Sequence, residues 1–160
     1  MTPRPEITGE SPRPPGATIH LNGLESWPDL VDARGSMIEA ARTALGTDPR
    51  LVQGELSITL VDDTEMTRLN GEWLNQAGST DVIAFSLGSA ESALGDVYIA
   101  PETAGRNASR LGVDLTEEML RLVIHGTLHV IGYDHPDGPD RDSSEMYRLQ
   151  EELLRGLEVR

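Results

Sequence analysis

The sequence predicts a single layered domain of the α/β (α+β) class, and two observations lead to this prediction. Short apolar stretches with a period of two are interspersed with longer segments of helical spacing. The chain of 160 residues is long enough for one substantial hydrophobic core but too short for two full domains. We therefore expect one domain over residues 17–160.

The first 16 residues differ in composition from the rest of the chain. They carry prolines and almost no apolar residues, which predicts a disordered tail over residues 1–16. The tail has no apolar segment of the kind found in a signal peptide, and no later segment has the length of a membrane span. The chain also has no cysteine, which fits a reducing compartment. We expect a cytoplasmic protein with no membrane partner, whose metals are held by histidines and carboxylates.

The segments after the tail predict four strands interspersed with helices. Leu56, Ile58 and Leu60 alternate with polar residues, which indicates a strand with one buried face. The Gly/Ser/Ala-rich residues 88–95 predict a loop. The predicted order is a strand over 17–21, a helix over 27–45, a strand around 56–60, a helix over 62–74, strands over 81–87 and 96–100, and three further helices.

Residues that favour helix ends set the boundaries of these helices. Capping side chains begin them, proline fits the first turn, and glycine ends them. These signals are Asp62 with Glu65, Pro101 with Gly112, Asp114 or Thr116, and Asp142 with Glu145.

Three histidines in the segment HGTLHVIGYDH carry the strongest functional signal. His125 and His129 are four residues apart on a predicted helix and therefore share one face. Gly132 should end that helix and let the chain fold back, which brings His135 towards the other two. Three imidazoles from two directions can form an open zinc site whose fourth position is left for water. The helix is apolar on nearly every side, so we expect it to be buried.

The spacing of the three histidines also matches the metzincin proteases. Those proteases place a glutamate directly after the first histidine, where it acts as the general base. This chain has Gly126 at that position. Because the proton acceptor is absent, the sequence argues against a metalloprotease.

A different family fits these residues better. HGTLHVIGYDH resembles the H-G-x-L-H-L-x-G-Y-D-H signature of the YbeY family of bacterial metal-dependent endoribonucleases. Residues 69–86 (LNGEWLNQAGSTDVIAFS) and 94–100 (LGDVYIA) resemble two further segments of that family, and with Met146 the similarity runs from about residue 50 to the end. The resemblance implies a mixed sheet, one zinc ion on the three histidines, and cleavage of single-stranded RNA in ribosomal RNA maturation and ribosome quality control.

The implied partners are single-stranded RNA and ribosomal RNA or the small ribosomal subunit, with no DNA expected. The net charge of −14 repels phosphates on average, although Arg106 and Arg110 could form a local basic patch. Asp96 and Asp134 are candidates for positioning a metal ligand or a water, and capping or surface roles are the alternative for both. The substrate cleft candidates are Thr80, Asp81, Arg106 and Arg110.

The chain departs from the family pattern at four positions of the upstream segment. Leu74 stands where the family has an arginine that is thought to contribute to RNA cleavage, and an arginine is the expected clamp for a phosphate oxygen. Ala77, Ser79 and Ala84 are the other departures. Together with the acidic charge, Leu74 leaves a second hypothesis open, a zinc-stabilised ribosome assembly factor without nuclease activity.

Overall fold

The computed structural model describes residues 17–51, 53–88 and 92–158. One four-stranded mixed sheet forms in the order β1-β2-β4-β3, in which β1, β2 and β4 are parallel and β3 is antiparallel to β4. This confirms the predicted layered domain with a mixed sheet. The tail predicted over residues 1–16 lies outside the described residues. The strands are β1 (Ala17–Asn22), β2 (Gln53–Leu60), β3 (Val82–Ser86) and β4 (Ser92–Ile99).

Five α-helices of the described residues pack around this sheet. The helix predicted over residues 27–45 is α-helical only in its second part, because Pro28 starts a 3₁₀ turn, Pro28–Ala33. The Leu30 N–H donates to the Trp27 carbonyl three residues back, at 2.9 Å. The helices are α1 (Arg34–Leu45), α2 (Asp63–Leu74), α3 (Pro101–Leu111), α4 (Leu115–Val130) and α5 (Glu145–Glu158).

The predicted capping residues of α2 and α4 act as expected. The Asp62 carboxylate accepts a hydrogen bond from the Glu65 N–H at 2.8 Å, and Asp114, rather than Thr116, caps α4 in the same way. Gly112 ends α3 with a φ of 71°. The start of α5 differs from the prediction, because Ser144 accepts from a backbone N–H of the first turn and Asp142 does not.

The loop predicted over residues 88–95 is shorter than expected, because β4 begins at Ser92. The Gly/Ser/Ala-rich composition of this segment does not show the apolar alternation that predicts a strand. Its pairing comes from β2, where Gln53 lies opposite Ser92 in the parallel register. A distant partner therefore supplies the hydrogen bonds that local composition does not predict.

Helix α4 crosses one face of the sheet and is buried along most of its length, as predicted. Gly126 permits this close approach, since a Cβ there would lie 2.5 Å from a methyl group of Val97 on β4. The Ser86 hydroxyl at the end of β3 donates to the Val130 carbonyl at 2.7 Å. The sheet thus fixes both the depth and the C-terminal end of the helix that carries two of the histidines.

The opposite face of the sheet is covered by α2. Met66 and Leu69 pack there with Ile83 and Ala100 in a second, smaller apolar cluster. Within the described part of the chain, no helix combines the length and the apolar character needed to cross a membrane.

Candidate metal centre

The structure brings the three predicted histidines together. One ring nitrogen from each of His125, His129 and His135 lies within 4.8 Å of those of the other two. The ring centroids are separated by 4.7, 5.2 and 5.0 Å. His125 is buried and the other two are half-buried, so the group sits at the edge of the core.

The end of α4 determines how the third histidine reaches the first two. Gly132 has a φ of 106°, in the left-handed region that glycine adopts without strain. The Tyr133 N–H donates to the Leu128 carbonyl at 3.0 Å, and the Gly132 N–H donates to the His129 carbonyl at 3.1 Å. This pair of bonds is the Schellman motif, which reverses the chain after a helix. The predicted turn at Gly132 is therefore present, and His135 follows it.

Each of the three imidazoles has an oxygen partner at its Nδ1 atom. Two of these partners are backbone carbonyls, which can only accept, so the Nδ1 atoms carry the hydrogen. The lone pairs of the Nε2 atoms are then the ones available to a metal ion, and the oxygen partners fix the orientation of the rings. The three residues therefore fit a metal ion. The pairs are His125 with Gln150 Oε1 (2.6 Å), His129 with the Tyr133 carbonyl (3.0 Å) and His135 with the Pro136 carbonyl (3.1 Å).

The surroundings also favour the neutral form of the rings, which is the form that binds metals. Burial lowers the pKa of His125 to about 4, against the opposing effect of the Gln150 hydrogen bond. Burial lowers the pKa of His129 as well, followed by the charge of His135. At neutral pH, protons therefore compete little with a metal ion for these two residues.

A cleft of about 1020 Å³ opens beside His125. Thr80, Asp81 and Arg110, three of the four predicted cleft residues, line it together with His125. The Asp81 carboxylate is oriented by Asn107, which donates to it at 3.1 Å. Arg110 donates to Asn107 in turn, at 2.7 Å. One wall of the cleft thus comes from α3 and the chain before β3.

The fourth predicted cleft residue, Arg106, lies outside the lining of the cleft. Its guanidinium is engaged elsewhere, because it binds the Asp63 carboxylate at 2.7 Å and the Thr103 hydroxyl at 2.8 Å. Asp63 also accepts from the Ser79 hydroxyl at 3.1 Å. Arg106 therefore joins α3 to the start of α2. Leu74, which stands in the place of the family arginine, is half-exposed at the end of α2, also outside the lining.

The two aspartates predicted to support the site are placed differently from each other. Side chains alternate between the two faces of β4. Val97 points to the α4 face, whereas Asp96 points to the other face, together with Tyr98 of the α2 cluster. The structure therefore does not bring Asp96 to the histidines. Asp134 lies in the turn, and its carboxylate accepts from the His135 N–H at 2.8 Å. That is the capping role that was the alternative for this residue.

Three residues near the histidines were missed in the sequence. Gln150 and Tyr147 lie on α5, and the Tyr147 ring is 5.5 Å from that of His125 and 5.4 Å from that of His135. Arg141, in the segment before α5, donates to the Tyr147 hydroxyl. The available signal was a polar Gln150 on the apolar face of an amphipathic helix. No spacing rule connects that face with a motif on the preceding helix.

The matching family model and the similar curated proteins share one description. The family model described as Endoribonuclease YbeY matches residues 28–158. Endoribonuclease YbeY of Thermobifida fusca is 42% identical over 112 residues, which cover 64% of this chain and 71% of the relative. The Azorhizobium caulinodans protein of the same name is 36% identical over 142 residues, with 84% and 88% covered. The solution structure of TM1509 from Thermotoga maritima is similar with a TM-score of 0.58 and 26% identity, over 88% of this chain and 89% of that one.

Proposed function

The chain belongs to the YbeY family of endoribonucleases, and from that membership we propose that it is a zinc-dependent endonuclease that cleaves single-stranded RNA. Its proposed substrate is ribosomal RNA, free or in the small ribosomal subunit, during maturation and quality control. DNA is not a proposed partner. This substrate implies the cytoplasm as the place of action.

One observation carries the proposal: three histidines with oxygen partners at Nδ1 stand beside a cleft that contains arginines. The set contains imidazoles and no carboxylate, and zinc sites with three protein ligands are commonly of this kind. Nickel, copper and iron also bind imidazole, so the identity of the metal needs its own measurement. The cleft has room for several nucleotide atoms on either side of a scissile bond.

The residues of the chain divide the proposed work between them. A zinc ion held by the Nε2 atoms would supply a Lewis acid for a phosphoryl oxygen and a lowered pKa for a water molecule. Gln150 and two backbone carbonyls orient the imidazoles. Thr80, Asp81 and Arg110 are proposed to contact the RNA from the wall formed by α3 and the chain before β3, where Arg110 supplies positive charge for a phosphate. Asp134 holds the backbone of His135 in place.

The direct test compares purified, zinc-loaded protein with two histidine variants on fragments of single-stranded ribosomal RNA. His129→Ala should lose its metal, as measured by elemental analysis. Its cleavage rate should fall by more than the roughly 10 to 100-fold expected when a residue that only orients a ligand is removed. His20→Ala is the matched control, since His20 lies on β1 and contacts Glu55 rather than the cluster. It should retain both metal and cleavage.

Substrate arms of the same assay test the finer parts of the proposal. Duplex RNA of the same sequence and single-stranded DNA should be cut much more slowly than single-stranded RNA. A chelator-treated sample should regain activity with zinc more fully than with nickel or iron. Equal cleavage by metal-free and zinc-loaded protein would rule out the zinc-dependent mechanism.

A second function, ribosome assembly without cleavage, is favoured by the acidic residues of the cleft. Asp142 and Glu152 line it together with Asp81 and repel phosphates, and Glu118 and Glu151 neutralise the charge of Arg121 there. In that case zinc-loaded protein would bind the small subunit and cut no RNA. The protease alternative would require cleavage of an unfolded protein, and Gly126 leaves no space for the glutamate that those enzymes use.

A further inference from the structure

Arg141 and Tyr147 form a pair at the edge of the histidine cluster that the proposed function does not yet use. Both line the cleft with His125. The Arg141 Nε donates to the Tyr147 hydroxyl, and the guanidinium carbon lies 5.2 Å from the centroid of the tyrosine ring. The same ring is within 5.5 Å of two of the three imidazoles, His125 and His135. The Tyr147 ring therefore contacts both the guanidinium and two of the imidazoles.

The charge of Arg141 is not neutralised by an ion pair with the described residues, in contrast to that of Arg121. Arg121, also in the cleft, is neutralised by Glu118 at 2.6 Å and Glu151 at 2.8 Å. Of the residues that the structure describes, none places a carboxylate within 4.0 Å of the Arg141 guanidinium. Its two Nη groups make no hydrogen bond to the described residues either, so up to four N–H donors face solvent and the cleft.

A guanidinium with free N–H donors beside a candidate metal centre is suited to binding a phosphate group. It binds phosphate oxygens with two parallel hydrogen bonds, which a lysine cannot reproduce. The hydrogen bond from Nε and the contact with the tyrosine ring fix the direction of the fork, so little conformational entropy is lost on binding. The adjacent histidine cluster is where a scissile phosphate must come if the metal acts on it.

On this geometry, and resting on the proposed function above, we propose that Arg141 binds a non-bridging oxygen of the scissile phosphodiester, and that Tyr147 is a positioning residue that aims it. Arg141 is then a catalytic residue, because the negative charge on that oxygen grows as the phosphorus is attacked. No proton or electron is transferred by either side chain. The segment between α4 and α5 supplies both a metal ligand, His135, and this phosphate contact.

Single-turnover cleavage of single-stranded RNA by zinc-loaded variants tests the role of Arg141. Arg141→Ala should be about 100-fold slower, with RNA affinity changed by less than about 3-fold, since one phosphate contact among several is lost. Arg141→Lys should recover only part of the rate, and guanidinium ion added to Arg141→Ala should restore part of it. Arg34→Ala removes the same charge from α1, outside the cleft, and should behave as wild type.

Tyr147 is tested by a double-mutant cycle and by a measurement without cleavage. Tyr147→Phe keeps the ring and removes the acceptor, and should be about 10-fold slower in the presence of Arg141 but without further effect in Arg141→Ala. Inorganic phosphate, titrated calorimetrically into zinc-loaded protein, should bind about 10-fold more weakly to Arg141→Ala than to wild type. The zinc content and melting temperature of all variants should match wild type.

The outcomes separate this inference from the proposed function. If wild-type protein cleaves RNA and Arg141→Ala cleaves equally fast, the proposed function stands and the role of Arg141 is wrong. A slow Arg141→Ala that has lost zinc, or that guanidinium does not rescue, would likewise contradict a phosphate contact. If zinc-loaded wild type cuts no single-stranded RNA, the proposed function fails and the inference fails with it.

Discussion

The face of the sheet under α4 and the face under α2 differ in how deeply their helices are buried. On the first face, α4 packs between the sheet and the other helices, and Leu128 is fully buried. On the second face, α2 ends in Trp73 and Leu74, which are 62% and 46% exposed. His125 and His129, the two proposed ligands that need a fixed separation, stand on the deeply buried helix. Close packing of the core therefore fixes their geometry, whereas the α2 face is free to vary.

Removal of a large side chain from each face gives the largest expected effects. Leu128→Ala on α4 and Met66→Ala on α2 each empty a site that is 0% exposed, and each should lower the free energy of unfolding by about 2 to 5 kcal/mol. Metal affinity, measured by competition with a chelator, should fall only for Leu128→Ala, because Leu128 lies between His125 and His129 on α4. Weakened metal binding in Met66→Ala would contradict the division between the faces.

Lowering the pH should destabilise the metal-free protein through the α4 face. The folded-state pKa of His125 is lowered to about 4 from 6.5, chiefly by burial, so the unfolded chain binds more protons between these values. The stabilisation is present in full above pH 6.5 and is lost as the pH falls towards 4. Its size is on the order of 3 kcal/mol.

The measurement is urea unfolding of metal-free protein between pH 7 and pH 4, with His125→Gln as the reference. Burial raises the pKa of Glu118, which acts in the opposite direction in this range, but that effect is common to both proteins. The wild type should therefore lose more stability than the variant over the interval. Parallel curves would show that the imidazole is not buried in its neutral form.

Gln150 approaches His125 from α5, outside both the sheet and α4. Gln150→Leu preserves most of the volume and removes the oxygen that accepts from His125, so metal affinity should fall about 10 to 100-fold, or about 1.4 to 2.7 kcal/mol. Gln76→Leu, in the exposed turn after α2, is the control and should leave metal affinity unchanged. A change of less than 3-fold in Gln150→Leu would mean that the ring of His125 is oriented by packing alone.

Two glycine substitutions give the smallest effects and isolate the contact between α4 and the sheet. Gly126→Ala gains about 1 kcal/mol in helix propensity but crowds Val97 at a cost of about 1 to 3 kcal/mol, for a net loss of about 0 to 2 kcal/mol. Gly105→Ala on α3 meets no atom within 4 Å and should stabilise by about 0.5 to 1 kcal/mol. Thermal unfolding measures both, and equal stabilisation would show that α4 can move away from β4.

The parts of the fold and site that the sequence predicted are those with a local cause. The three histidines, Gly132 and the Asp114 cap each follow from spacing or from the chemistry of one turn. Gln150, Tyr147 and Arg141 could not be predicted in the same way, because α5 and the segment before it meet α4 only after the chain has folded. Asp96 was a candidate within the segment LGDVYIA. The pleat of β4 places it on the face of the sheet away from the histidines.

The turn at Gly132 lets the candidate metal centre assemble from a single short segment. All three proposed ligands come from one continuous segment, residues 125–135, and two of their Nδ1 partners, Tyr133 and Pro136, come from that segment or the residue next to it. The chain entropy lost on gathering the ligands is therefore that of closing a very short loop, independent of the order in which the strands pair. Metal binding is thus coupled to the helix–coil equilibrium of the end of α4, and a bound ion would stabilise that helix even while the rest of the chain is unfolded.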